Sequence, residues 1–99
     1  MAGKQLDIHP AALVELKSCL DWYLARSETA GIKFVAELDR AMDLIIQSPS
    51  RWPSGEHDTR KFVLRRFPFA VIYREKEIGV EVLAIAHGRR RPSYWKDRL

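Results

Sequence analysis

Residues 59–92 read TRKFVLRRFPFAVIYREKEIGVEVLAIAHGRRRP, and this stretch decides the fold. It contains three runs rich in Val, Ile, Phe and Tyr, at Thr59–Arg65, Phe69–Tyr73 and Ile78–Ala86, a composition typical of β-strands. The connections between the runs are short, whereas a parallel pair needs a crossover of about a dozen residues or more. The sequence therefore predicts a three-stranded antiparallel meander that ends in a cluster of arginines.

The preceding half of the chain predicts one strand and two helices. Gln5–His9 alternates apolar and polar residues and indicates a short strand, which must pair with the meander to be stable. Apolar residues at three- and four-residue spacing give Ala11–Arg26 one helical face, formed by Leu13, Leu16, Leu20 and Tyr23 or Leu24. Ser27 is the expected N-cap of a second amphipathic helix, which Pro49 ends.

These elements predict an α+β domain. We expect an N-terminal strand, a helical hairpin and then the three-stranded antiparallel meander to form one sheet, with the helices packed on one face. The first strand should add to an edge of the meander. Trp52 should cover the core from the loop after the second helix, and residues 93–99 should form one or two helical turns. Four residues should be buried between the hairpin and the sheet: Leu38, Ile45, Val71 and Val82.

Length and composition favour a small globular protein without disulfides. The 99 residues are 46% hydrophobic, so residues 1–99 are expected to form a single domain with its own core. Cys19 is the single cysteine, which excludes an internal disulfide and suits a cytoplasmic location; we expect it to be partly buried and unreactive. No apolar run reaches the roughly 18 residues of a membrane span. With three scattered histidines, we expect no metal ion or other cofactor.

The net charge of +4 is divided unevenly along the chain. Residues 1–58 contain six basic and nine acidic side chains, a balance of −3, whereas residues 59–99 contain eleven and four, a balance of +7. Such an asymmetry indicates an acidic or polyanionic partner for the second half. The alternative is a solvated basic surface that only keeps the protein soluble.

Two motifs stand out in the second half: FPFAVIY at Phe67–Tyr73 and AHGRRRPSYW at Ala86–Trp95. Together with the order of the elements, they resemble the RelE/ParE superfamily of toxins from bacterial type II toxin–antitoxin modules. The resemblance implies the toxin of a plasmid-stabilisation module, neutralised by a cognate antitoxin in a hetero-oligomer, with no membrane partner. Four residues of the first half also resemble that family: Trp22, Tyr23, Phe34 and Pro49.

The superfamily contains two mechanisms. ParE-like toxins inhibit DNA gyrase and have no agreed catalytic set, whereas RelE-like toxins cleave messenger RNA on the ribosome with dispersed basic residues and a C-terminal Tyr or His. RelE-like toxins typically carry an arginine after the aromatic residue that opens the middle strand, but here Ala70 follows Phe69. The resemblance therefore favours a gyrase inhibitor. The alternatives are an mRNA endonuclease and a degenerate toxin kept only as an antitoxin-binding module.

A RelE-like reaction would use five residues: His87, Arg65, Arg89, Arg91 and Tyr94. Metal-free RNA cleavage needs a base for the 2′-hydroxyl, positive charge at the phosphorus and an acid for the leaving oxygen. His87 suits either proton transfer because its ordinary pKa is about 6.5. Tyr94 and Trp95 would stack on a base. The plainer interpretation is that His87 makes a structural hydrogen bond and that Tyr94 and Trp95 cap the sheet.

Six residues are predicted to bind partner proteins: Trp22, Phe34, Arg89, Arg90, Arg91 and Trp95. The hairpin offers a groove beside Trp22 and Phe34 for an amphipathic helix of the antitoxin, and a sheet edge offers a place for an added strand. The three consecutive arginines would attract carboxylates of an acidic segment.

Overall fold

The computed structural model describes residues 5–99, and it has the α+β architecture expected from the sequence. Two short 3-10 turns, at Glu56–Asp58 and Lys96–Arg98, accompany the regular elements, and the second confirms the helical turn expected in the tail. Neither helix in the described part of the chain is long and apolar enough to cross a membrane. The regular elements are β1 (Gln5–Ile8), α1 (Pro10–Arg26), α2 (Glu28–Gln47), β2 (Arg60–Val63), β3 (Phe69–Lys76) and β4 (Gly79–His87).

The four strands form one sheet in the order β1-β4-β3-β2. β2, β3 and β4 are the predicted antiparallel meander, and β1 lies at its edge as expected, paired with β4 in parallel. Gly79 permits this pairing, because its φ is +151° and a Cβ there would lie 1.9 Å from the carbonyl oxygen of Gln5. Within residues 5–99, β1 pairs only with Gly79–Val82, so the rest of β4 has no strand beside it on that side.

Strand β3 is longer than predicted. It continues past Tyr73 to Lys76, because Arg74 and Glu81 form a cross-strand pair with the Arg74 Nε donating over 2.9 Å. Charged residues had suggested a connection here, and the tight turn instead contains Ile78, which is exposed and not part of β4. The cross-strand ion pair therefore extends the ladder where the apolar pattern ends.

Ser27 joins the helices into a tight hairpin. Its N–H donates to the carbonyl of Tyr23 over 2.9 Å, and its hydroxyl oxygen accepts from Ala30 N–H over 3.2 Å. The same residue therefore ends α1 and caps α2, which confirms the predicted N-cap. The helices meet closely at Gly31, where a Cβ would approach Leu24 Cδ2 to 2.3 Å.

The buried face of α1 differs from the predicted one in its first turn. Ala12 is fully buried, whereas Leu13 is 52% exposed, so the assignment of Leu13 to the apolar face is wrong. The small side chain of Ala12 takes that place against the core. Farther along the helix, Leu16, Leu20 and Tyr23 pack on the core as predicted.

Two hydrophobic clusters lie on opposite faces of the sheet. The larger cluster lies under the helices and includes all four residues predicted to be buried. Trp52 covers part of this cluster, as expected, with its ring 4.4 Å from that of Phe62. The smaller cluster, on the other face, contains Ala70, Ile72, Leu83, Ala84 and Trp95.

Candidate functional site

Five arginines come together at one end of the sheet. Arg65 and Arg66 lie in the turn between β2 and β3, and Arg89, Arg90 and Arg91 follow β4 directly. All five are exposed, and they are called the arginine end below. Arg65 lies just beyond β2, whereas the sequence predicted it to be part of that strand.

Backbone contacts hold the two arginine-bearing segments side by side. Phe69 of β3 pairs with His87 of β4, and the N–H of Gly88 donates to the carbonyl of Pro68 over 2.8 Å. Glu37 of α2 accepts hydrogen bonds from the backbone N–H groups of Arg65 and Arg66, at 2.5 and 3.1 Å. The arginine end therefore has a fixed backbone and exposed side chains, and the Arg90 guanidinium lies over the Tyr94 ring.

A cavity of about 660 Å³ opens beside the arginine end, on the face of the sheet that the helices leave uncovered. Ala70 and Ala86 lie opposite each other in the β3–β4 ladder, and these small side chains leave room on the floor of the cavity. Residues 53–56 and 59–61 form one wall, and residues 90–95 form the other. The volume is within the range of small-molecule sites.

The two walls are linked at their tops. The Ser93 hydroxyl donates to Glu56 Oε2 over 2.6 Å, and the ring of His57 stands edge-on to Trp95 at 6.1 Å. His57, Asp58 and Ser93 adopt φ values of 60°, 57° and 58°, a left-handed conformation that costs non-glycine residues energy. Such backbone strain is common where a structure fixes the shape of a site. Sequence reasoning assigned His57 no role.

His87 lies at the edge of the cavity with one ring nitrogen engaged. Its Nδ1 accepts a hydrogen bond from the N–H of Arg89 over 3.0 Å, and its ring meets Phe69 edge-on at 5.1 Å. Because Nδ1 is the acceptor, the neutral ring carries its hydrogen on Nε2. In this arrangement His87 can donate a hydrogen bond from Nε2, but its one basic lone pair, on Nδ1, is already engaged.

Tyr94 lines the cavity, but its hydroxyl is engaged elsewhere. The hydroxyl donates to Glu15 Oε2 over 2.8 Å, and the guanidinium of Arg90 lies 3.8 Å from the ring centre. Burial and the hydrogen bond to Glu15 hold the Tyr94 pKa well above its ordinary value. The phenol is therefore not poised for proton transfer, and one face of its ring is covered.

Glu15 of α1 organises the tail and the unpaired part of β4. Its carboxylate accepts from both Arg98 NH groups at 2.8 and 2.9 Å and from the N–H of Ile85 over 3.1 Å, while Arg98 also donates to the carbonyl of Leu83. Burial alone would raise the pKa of Glu15, but hydrogen bonds from Arg98, Tyr94 and Ile85 outweigh it, so the pKa lies below the ordinary value.

This network occupies backbone groups that a longer β1 would have used. Sequence reasoning missed it, since Glu15 reads as an ordinary polar residue outside the apolar face of α1. Its partners lie 70 and 83 residues away in the chain. No local pattern in the sequence signals the contact.

The predicted catalytic residues are only partly brought together. His87, Arg91 and Tyr94 line the cavity, and Arg90 lines it as well. Arg65 and Arg89 belong to the arginine end but do not line the cavity. The predicted base-stacking surface is not available in this conformation, because Tyr94 is covered by Arg90 and Trp95 is 7% exposed.

The predicted partner-binding residues differ in exposure. Trp22 is 52% exposed, with the Arg26 guanidinium 3.6 Å from its ring centre. Phe34 is fully buried and stacks on Tyr23, so it supports the hairpin from within and offers no surface to a partner. Trp95 is likewise packed on the sheet. The exposed apolar residues of the hairpin, collectively called the hairpin face below, are Leu13, Val14, Trp22, Leu24 and Ile32. Those in α1 lie on more than one side of that helix, since Leu13 and Trp22 are separated by about two and a half turns.

The remaining candidates for chemistry lie apart from the cavity. Cys19 is partly buried in α1, as expected, and burial raises the pKa of its thiol, with a smaller contribution from Glu15. Across residues 5–99, no group of three His, Cys, Asp or Glu side chains is placed to hold a metal ion.

The fold and the basic end of the sheet define a small α+β protein of the RelE/ParE type. A model of the ParE toxin of type II toxin–antitoxin systems (parDE) matches residues 6–92. The chain therefore belongs to the ParE toxin family.

Comparison with solved structures agrees with this assignment at the level of the fold. A chain from the chromosomal ParDE toxin–antitoxin system of P. aeruginosa has a TM-score of 0.73 and 24% sequence identity. The match covers 85% of this chain and 95% of that chain. Among curated protein sequences, none matches the chain significantly.

Proposed function

We propose that this toxin inhibits DNA gyrase and that a cognate antitoxin neutralises it in the cytoplasm. The observation that carries the proposal is the ParE family match over residues 6–92. ParE-like members of the superfamily that the sequence resembles act on gyrase, not on RNA. Ala70, which replaces the arginine typical of RelE-like toxins, supports the same choice.

The geometry of the cavity also favours a protein-binding inhibitor over a nuclease. Cleavage of RNA needs a base and an acid on opposite sides of the phosphate. His87 uses its Nδ1 lone pair on the backbone of Arg89, and Tyr94 donates its hydroxyl hydrogen to Glu15. Neither side chain is available as a base in this conformation.

RelE-like cleavage of ribosome-bound mRNA is the second candidate. It is supported by the position of His87 at a cavity that Arg90 and Arg91 also line. Two guanidinium groups beside the cavity would stabilise the charge that develops at the phosphorus. This arrangement supplies the positive charge, but it leaves both the base and the acid unassigned.

We place the antitoxin on the hairpin face. Trp22 and Ile32 expose apolar surface near the link between the two helices, and an amphipathic helix is a common ligand of apolar surface on helices. A disordered antitoxin segment that folds on binding would cover it and continue across the toxin. The hairpin face therefore replaces Phe34 as the proposed contact.

A paired assay separates the two mechanisms. The purified toxin is tested for inhibition of gyrase supercoiling and, in parallel, for cleavage of mRNA on programmed ribosomes. We expect supercoiling to stop and the mRNA to remain intact. We also expect His87→Ala and Tyr94→Phe to keep growth inhibition, because neither side chain performs chemistry in a gyrase inhibitor.

Antitoxin binding by both variants serves as the control for folding. The proposal fails if the toxin cuts mRNA in a codon-dependent way while gyrase is unaffected. It also fails if both variants lose toxicity but still bind the antitoxin and block gyrase as the parental toxin does, since loss of folding and loss of target contact would then both be excluded.

A further inference from the structure

The positive charge of the second half is concentrated at the arginine end. The ion pairs within residues 5–99 engage Arg60, Arg74, Lys76 and Arg98 among the basic residues that follow Thr59. None of the five residues of the arginine end forms an ion pair with a described carboxylate. Seven basic residues that follow Thr59 form no ion pair with a described carboxylate, and five of them make up the arginine end; the other two are Lys61 and Lys96.

The carboxylates nearest to the arginine end are already engaged. Glu37 accepts from two backbone N–H groups of the β2–β3 turn, and Glu56 accepts from the Ser93 hydroxyl. Their hydrogen-bonding capacity is directed at the backbone and at the cavity wall, not at guanidinium groups. The arginine end thus presents five positive charges with one carboxylate, Glu37, bonded to its backbone, so a net positive charge remains there to attract a polyanion.

The backbone beneath these charges is held in place. Glu37 fixes the turn that carries Arg65 and Arg66, and the Gly88–Pro68 hydrogen bond ties that turn to the end of β4. The N–H of Arg90 donates to the carbonyl of His87 over 3.0 Å. A fixed backbone lowers the entropic cost of presenting several cations to one extended ligand.

The surrounding aromatic residues indicate which polyanion fits. Single-stranded nucleic acid binds through bases stacked on exposed rings. Here the Tyr94 ring is covered by Arg90, Trp95 is packed on the sheet, and Phe69 is met edge-on by His87. Exposed guanidinium groups without an exposed ring suit a ligand that is read through its phosphates alone, as duplex backbone is.

We propose that the arginine end binds the phosphate backbone of duplex DNA without sequence preference. The choice of DNA over RNA rests on the proposed function, in which the target enzyme works on duplex DNA. The contact would hold the toxin on DNA-bound gyrase in preference to the free enzyme. It adds a second binding partner to a toxin whose inhibitory contact is with protein.

The test is the salt dependence of binding to a short labelled DNA duplex, measured by fluorescence anisotropy without gyrase. Each phosphate contact contributes about −0.9 to the slope of log K against log salt. The triple variant R89Q/R90Q/R91Q should flatten the slope by about two to three and weaken binding at least tenfold at low salt. The double variant R65Q/R66Q should flatten it by about one to two.

A charge-matched control lies at the opposite end of the sheet. R51Q/R74Q/K76Q also removes three positive charges, at the end of the sheet that contains Glu75 and Glu81. It should change the affinity less than about threefold. Thermal melts check that all variants fold. An equal loss in the control would overturn the proposal, because net charge alone would then explain the binding.

Four further results would overturn it. The first is no binding of the parental toxin to duplex DNA at low salt. The second is tighter binding to single-stranded DNA, which would indicate a stacking site. The third is tighter binding to duplex RNA than to duplex DNA, which would point to an RNA target. The fourth is an effect of R89Q/R90Q/R91Q on antitoxin association alone, which would assign the arginines to an acidic protein.

The DNA-binding measurement and the supercoiling assay test the two proposals separately. A toxin that binds DNA at the arginine end but leaves gyrase active would contradict the proposed function alone. A toxin that blocks gyrase but does not bind DNA would contradict this inference alone.

Discussion

The two faces of the sheet are built in opposite ways. The face under the helices is closed by large side chains, and Phe34, Ile45 and Tyr73 are fully buried there. The other face carries small residues, among them Ala70 and Ala84, covered in part by Trp95 of the tail and open beside it as a cavity. Complete burial of a large apolar side chain is worth about 1.5–3 kcal/mol. Most of the folding free energy therefore comes from the helical face.

This difference separates stability from recognition. The tail lies on the second face through a few polar contacts centred on Glu15 and the packing of Trp95. Regions with few buried contacts open locally at a lower cost than the global unfolding free energy. Changes on the second face should therefore affect local opening and partner binding more than global stability.

The largest effect is expected from truncation on the helical face. Leu38 is 3% exposed and Val82 is fully buried, so Leu38→Ala and Val82→Ala should each lower the unfolding free energy by about 2–4 kcal/mol. Urea melts measure the loss. Val63→Ala, at a side chain that is 62% exposed, is the control and should cost less than about 0.5 kcal/mol. Losses below about 0.5 kcal/mol in both core variants would contradict the conclusion that the helical face supplies most of the folding free energy.

The helical face was also the part most accessible to sequence reasoning. Apolar runs and turn formers identified the meander, and Leu38, Ile45, Val71 and Val82 are all buried as predicted. The two errors there concern which residues of α1 face the core and where strand β3 ends. A leucine-rich pattern placed Leu13 inside although Ala12 is the buried residue, and charged residues concealed the end of β3.

The second face was less accessible because its contacts are distant in sequence. The bond between Glu15 and Arg98 depends on where β1 ends and where the tail returns, and neither is encoded locally. Residue type also says little about exposure. Trp22 and Phe34 were predicted together as partner contacts, yet the first is exposed and the second is fully buried.

The next largest effect is expected at the anchor of the tail. Arg98→Met leaves the largely buried Glu15 carboxylate without its cation, since each side chain of the pair is 17% exposed. We expect a loss of about 1–3 kcal/mol, because removing one partner leaves the other unsatisfied. Amide exchange at Ile85 should quicken more than exchange in the core of β3.

Lys96→Gln is the matched control, since it removes a positive charge from the same exposed turn without a described ion pair. It should change stability by less than about 0.5 kcal/mol. A uniform increase of exchange across β3 and β4 in Arg98→Met would contradict a locally opening tail.

A smaller effect is expected when the same network is titrated. The pKa of Glu15 is below its ordinary value of 4.5 in the folded protein. A lowered pKa means that the contribution of Glu15 to stability is present above about pH 4.5 and is lost as the pH falls through the lower native value. The tail should therefore open only under acidic conditions.

The amide proton of Ile85 reports this titration directly, because it donates to Glu15. Its NMR chemical shift should change with a midpoint below 4.5, and Glu15→Gln should abolish the change. A midpoint above 4.5 would mean that burial outweighs the hydrogen bonds from Arg98, Tyr94 and Ile85.

The smallest effect on stability is expected at the hairpin face, where the effect on binding should be large. Trp22 is half exposed and stacks on Arg26, so Trp22→Ala should cost about 0.5 kcal/mol or less in urea melts. Apolar anchors act mainly on dissociation, and aromatic anchors commonly contribute about 2 kcal/mol or more to binding. Stopped-flow competition should therefore show antitoxin dissociating at least tenfold faster, with association nearly unchanged. Ile78→Ala, at an exposed apolar residue in the turn before β4, should leave both rates unchanged. If the antitoxin dissociates from Trp22→Ala at the parental rate, its binding site is not at Trp22, and the second face of the sheet becomes the preferred candidate.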